Sequence, residues 1–114
     1  MNEAPNHVYQ GVPPHGAFRD GEPLPLKPSL KVWNHSPTGF SWGYGGSGPA
    51  QLALAILLME TSEKVAVRYH QEFKWRFVAG WPSDEPWRID SAEIHDWLVS
   101  GARAFGDGDS DGPA

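Results

Sequence analysis

The sequence predicts a small α+β domain. A small antiparallel sheet, made of N-terminal strands and a hairpin, packs against an α-helical hairpin plus a C-terminal helix. Three observations predict this. A Pro/Gly-punctuated first third leaves room only for short strands. A nearly all-apolar run, Ala50–Met59, is followed at once by an amphipathic one. Asp90 with Glu93 three residues on reads as a helix start.

In chain order, residues 1–29 carry Pro13-Pro14, Gly16, Gly21, Pro23, Pro25 and Pro28. They allow a short strand at His7–Gln10 and an edge strand near Leu24–Leu26, joined by surface loop. This segment belongs to the same domain as the core, residues 30–105. Leu30–His35 reads as a strand, Ser36-Pro37-Thr38-Gly39 as a turn, and Phe40–Tyr44 as the returning strand. Phe40, Trp42 and Tyr44 then share one face.

Pro49 suits a first helical position, and the helix through Met59 is apolar nearly all round. Such a helix is the centre of one domain or a subunit contact, so a homo-oligomer is one way of covering it. Thr61 or Ser62 caps a second helix reaching about Val78, with Ala66, Tyr69, Phe73 and Phe77 on its buried face. Trp81 and Trp87 fall in a loop. The last helix spans Ser91 to about Ala104 and buries Ile94, Trp97 and Leu98. Residues 106–114 read as a disordered acidic tail.

Composition narrows the function classes. The chain has 114 residues, 39% of them hydrophobic, six tryptophans and no cysteine. One unassisted core fits this length, and no disulfide or Cys-based metal site can form. No secretory h-region or membrane-length apolar run is present, so a cytoplasmic protein without membrane association is expected. The net charge of −5, with Asp107, Asp109 and Asp111 in the tail, disfavours a nucleic-acid coat.

The chemistry centres on Gly43-Tyr44-Gly45-Gly46-Ser47-Gly48-Pro49. It matches G-x-G-x-x-G formally, but a second helix follows where a dinucleotide fold needs a parallel strand. A P-loop would need Lys-Ser/Thr where Pro49-Ala50 stands. Two readings remain. Gly45, Gly46 and Gly48 either supply positive φ and close approach to a packed ring, or turn their amides toward an anion. In the second reading Tyr44, Gly45, Gly46, Ser47, Gly48 and Gln51 contact a ligand. A short interhelical turn makes the two helices antiparallel. Counting back from it brings Gln71, Lys74, Trp75 and Arg76 level with the glycine turn, where cations and a ring suit a phosphate on a planar group.

No catalytic residue, metal ligand set or cofactor is assigned. His7, His15, His35, His70 and His95 lack ligand spacing, and His35-Ser36 has no evident acid partner. Asp107-x-Asp109-x-Asp111-Gly112 begins like a calcium loop but has no closing Glu.

The run Phe40-x-Trp42-Gly43-Tyr44-Gly45-Gly46-Ser47-Gly48-Pro49-Ala50-Gln51-Leu52-Ala53-Leu54-Ala55, followed by Tyr69-His70-Gln71-Glu72-Phe73-Lys74, resembles a family of unknown function found in phages, plasmids and bacteria. The resemblance covers roughly residues 30–78 and carries no activity or site list. It implies a small mobile-element protein that modulates a host process. The leading expectation is therefore a non-catalytic protein binding a phosphate-bearing, nucleotide-like molecule, such as a phage protein sequestering a host immune signal. The first alternative is a protein-interaction module acting on a host complex through the Lys64–Arg68–Gln71–Trp75 face or the acidic tail. The second is an enzyme acting on a nucleotide-like substrate.

Overall fold

The computed structural model describes residues 5–104, with side chains as far as residue 100. The predicted acidic tail lies outside the described residues. The fold is α+β. A four-stranded antiparallel sheet, in the order β3-β2-β1-β4, packs on a helical layer. The strands are β1 (Val8–Val12), β2 (Gly16–Arg19), β3 (Glu22–Pro23) and β4 (Trp87–Asp90). The helices are α1 (Lys27–Val32), α2 (Ser47–Glu60), α3 (Glu63–Arg76) and α4 (Ser91–Ala104), with a 3-10 turn at Val78–Gly80.

Period-two alternation turns Tyr9 and Gly11 of β1, and Trp87 and Ile89 of β4, toward the helices. Register places Gly11 opposite both Ala17 and Trp87. These two small residues make room for the large indole. A Cβ built on Gly11 would lie 1.9 Å from Trp87 Nε1. Trp87 stacks on Trp81 at 4.3 Å and meets Trp42 edge-on, so three of the six tryptophans form one cluster beneath the sheet. The indole N–H of Trp87 is buried with no hydrogen-bond partner.

Helix α2 is the centre of the helical layer. Gly48 through Leu57 are all buried, as an all-round apolar sequence demands. Helix α3 starts at the Ser62 cap, whose side chain accepts from Val65 N at 3.2 Å. It buries Ala66 and Phe73 against α2 and the Phe77–Trp97 pair. Helix α4 opens with a reciprocal capping box. Glu93 N donates to Asp90 Oδ1 at 2.9 Å, and Asp90 N donates to Glu93 Oε1 at 3.2 Å.

The expected hairpin over residues 30–44 is absent. Leu30–Val32 instead belongs to α1, because Pro28 sits in that helix's first turn, where its fixed φ favours helix. Residues 33–46 form an irregular segment whose polar backbone is met by other partners. Gly43 N donates to Val78 O at 3.0 Å, and Gln51 takes two further amides. Phe40 and Trp42 are buried by this path, while Tyr44 points outward at 53% exposure. The strand expected near Leu24–Leu26 lies just earlier, at Glu22–Pro23. Trp87, expected in a loop, begins β4.

Candidate functional site

The glycine-rich segment runs from the irregular chain into α2, which starts at Ser47, two residues ahead of Pro49. Its N-cap, Gly46, has no side chain with which to cap. Pro49 has no N–H, and Ala50 N donates to Gly46 O at 3.1 Å. The amides of Ser47 and Gly48 stand at the head of a 14-residue helix, where no intrahelical acceptor exists. Both residues line a cleft of about 410 Å³ between α2 and the 36–44 segment.

Hydroxyls dominate its wall: Ser36, Thr38, Ser41, Tyr44 and Ser47. Ser41 Oγ and Tyr44 Oη are 3.0 Å apart, and Ser36 Oγ donates to Gly39 O at 2.8 Å. His15, at the β1–β2 turn, closes one side with Nδ1 3.2 Å from Phe40 O. An imidazole nitrogen facing a carbonyl carries the proton, so His15 donates there. Among the described residues no acidic side chain lines this cleft. The helix start and the hydroxyl donors therefore act on one small volume unopposed by negative charge.

The predicted site residues divide into groups. Tyr44, Ser47 and Gly48 line the cleft. Gly45 and Gly46 instead permit close approach of rings. A Cβ on Gly45 would fall 2.1 Å from Trp75 Cη2, and one on Gly46 would fall 2.4 Å from Tyr44 Cε2. The positive φ expected at these glycines occurs elsewhere, at Gly21, Gly39 and Gly43. Gly43 also lies against Ser83, so its backbone and its space both require glycine.

Gln51 turns inward and is 0% exposed. Its Oε1 accepts from His35 N at 2.7 Å and Ser36 N at 2.9 Å. Its Nε2 donates to Ser29 Oγ at 2.9 Å and Trp33 O at 3.1 Å. All four of its hydrogen bonds go to protein, so it anchors the cleft wall. Lys74 does reach the glycine turn: Nζ donates to Gly45 O at 3.0 Å and lies 4.4 Å from the Trp75 ring centroid. Burial lowers its pKa from the usual lysine range. Trp75 is 64% exposed and does not line the cleft, and Gln71 is half-buried on α3. Arg76 lies away from this group, over Phe77 and beside Glu93 and Asp96 of α4.

Behind the cleft wall two histidines meet. His70 Nδ1 faces the carbonyls of Ala66 and Val67 at 3.1 and 2.9 Å, so it carries the ring proton. His70 Nε2 then accepts from His35 Nε2 at 3.0 Å. Trp33 stacks on His35 at 4.8 Å. Burial, then the neighbouring His70 and Lys74, lower the His35 pKa. Burial likewise lowers that of His70, against the pull of its two carbonyl bonds. Both rings are neutral at pH 7.

His15, Ser36, Thr38 and Ser41 were not among the residues singled out by sequence. The Ser36-Pro37-Thr38-Gly39 turn was visible, but its reading as a hairpin tip directed those hydroxyls away from the glycine turn. Among the described residues no helix is long and apolar enough to cross a membrane. No curated protein and no solved structure matches the chain. A family described as one of unknown function, DUF6166, matches residues 9–100, which takes in the cleft and all of the sheet and helices except Val8 and the last turn of α4. The chain belongs to that family of unknown function.

Proposed function

We propose that this protein binds a small phosphate-bearing molecule in the cleft ahead of α2, without catalysing its conversion. One observation carries the reading: the head of α2, with no side-chain cap, adjoins a cleft walled by hydroxyls and, among the described residues, free of carboxylates. A phosphate there would accept from the Ser47 and Gly48 amides, with the dipole of α2 behind them. Ser36, Thr38 and Ser41 would supply further donors, and the outward Tyr44 ring would stack on a planar group such as a nucleobase. Among the described residues no lysine or arginine lines the cleft, so recognition rests on amides and hydroxyls, and moderate affinity follows. Sequestration of a signalling nucleotide by a mobile-element protein is a biological setting that fits this chemistry.

Calorimetry with inorganic phosphate and a panel of linear and cyclic nucleotides tests the reading. Ser47→Asp is the informative variant. An acid in the first turn favours the helix, so the fold persists, while the carboxylate repels an incoming phosphate. Binding by the wild-type chain, weakened at least tenfold in the variant, is expected. No binding across the panel, or equal binding by both proteins, overturns it.

A further inference from the structure

A second cleft, of about 600 Å³, lies where the N-terminal chain, the end of α2 and the start of α4 meet. Its floor is organised by Glu60, the last residue of α2, whose side chain is 5% exposed. Glu60 accepts from Tyr9 Oη at 2.6 Å, Ser91 Oγ at 2.7 Å and His95 Nε2 at 2.9 Å. Burial pushes its carboxyl up, but these three donors outweigh burial and hold it below the usual glutamate range. Tyr9, buried and bonded to that carboxylate, is raised above the usual phenol range. Glu60 is thus a fixed anion held by three protein donors.

The groups that face outward around it are nitrogen-based. A carboxylate only accepts, so the His95 nitrogen facing Glu60 carries the proton. Nδ1 of the 51%-exposed ring is left for other partners. His7 is held in the same way, with Nδ1 donating to Asp20 Oδ2 at 2.7 Å and Nε2 remaining. Arg19 donates from Nε to Tyr9 Oη at 3.2 Å. Among the described residues, its terminal nitrogens have no hydrogen-bond partner and no carboxylate lies within 4.0 Å. Met59 and Ala92 add an apolar wall.

From this arrangement we infer that the cleft is a second ligand site, for a small organic anion. Its carboxylate or phosphate head sits on the Arg19 fork, His7 and His95 meet the remaining charge, and its apolar body lies on Met59. A planar guanidinium with two open donors matches either head. The volume is in the range of small-ligand sites, roughly 300–1,000 Å³. Tyr9 and Glu60 are positioning residues: one orients Arg19, the other His95. The inference does not rest on the α2 cleft.

The test is NMR titration of the histidine side chains in the full chain, with phenyl phosphate and with benzoate as probes. A bound anion changes the surroundings of both rings, so the side-chain proton and nitrogen signals of His7 and His95 move on titration, while those of His70 stay put. The probe that acts identifies the head group. Arg19→Gln weakens binding at least tenfold, and Arg19→Lys, which keeps the charge without the fork, binds at an intermediate level. In Ser47→Asp, altered only at the α2 cleft, the His7 and His95 signals respond to both probes as in the wild type, which separates this site from that cleft. If neither probe moves His7 and His95, or if a folded Arg19→Gln binds like the wild type, the inference fails.

Discussion

Replacing Gln51 with leucine tests how the α2 cleft is held open. The side chain is fully buried, similar in volume to leucine, and makes four hydrogen bonds to the 29–36 segment. Each bond contributes about 1 kcal/mol net, so about 4 kcal/mol is lost. The more favourable burial of an aliphatic side chain returns about 1–2 kcal/mol. A net loss of about 2–3 kcal/mol remains, a large share of the ~5–15 kcal/mol that holds a domain together. With a urea slope of about 1–3 kcal/mol per molar, the midpoint falls by roughly 1–2 M at unchanged slope. Hydrogen exchange supplies the local readout. The His35 and Ser36 amides lose their acceptor, so they exchange faster in the variant by more than the global loss explains. Gln51→Glu keeps the two accepted bonds but sets a buried carboxylate against Trp33 O, and costs at least as much. A Gln51→Leu midpoint within the error of wild type, with the two amides still protected, would refute the reasoning.

Two further perturbations follow from the packing and the titrating groups. Gly11→Ala puts a methyl into the Trp87 indole, which Trp42 and Trp81 hold in place, and destabilises by about 1–3 kcal/mol. Gly45→Ala meets the exposed Trp75 ring, which can swing away, and costs well under that; equal melting temperatures for the two variants would contradict the packing described. His35 and His70 have folded pKa values below their unfolded ones, near 6.5. Their stabilising contribution is complete above that value and is lost as pH falls below it. For the buried His70 the loss is up to about 1.4 kcal/mol per pH unit until its folded pKa is reached. Asp20 (backbone Val8, then His7) and Asp90 (backbone Glu93) are held below the usual carboxylate range, and Glu60 stays low despite burial, so their losses come at lower pH. Thermal melts should therefore decline between pH 7.5 and 5.5, and a flat profile there would show that the histidine pair is not neutral.

The parts of the fold legible in the sequence are those fixed by local chemistry. Ser62 and the Asp90–Glu93 pair announce two helix starts, and Leu52–Leu57, apolar throughout, reads as a buried helix. Antiparallel packing of α2 and α3 then brings Lys74 and Trp75 to Gly45. The strands were harder because their partners are remote. β1 pairs with β4 across some eighty residues, and no local pattern specifies that register. One signal was present and overlooked: Asp20-Gly21, both at positive φ, forms the two-residue turn joining Arg19 to Glu22. Alternation in Trp87-Arg88-Ile89-Asp90 was another, masked by the prolines before it.

The site was legible as a segment and not as a geometry. Helical periodicity puts Arg76 roughly 200° around α3 from Lys74, so both cannot serve the same turn. Gln51 reads equally well as a ligand donor or as a buried anchor until Ser29 and Trp33 are placed beside it. Tyr9, Glu60, Ser91 and His95 come from three separate elements, β1, α2 and α4, and only the tertiary fold gathers them.

The claim that matters most is that the head of α2 receives a ligand, and backbone NMR reads it directly. On titration with the nucleotide that binds best in calorimetry, the Ser47 and Gly48 amide signals should move downfield first and furthest, with the Tyr44 ring following. Signals at Ser47 and Gly48 that stay fixed while the ligand binds elsewhere would contradict the account.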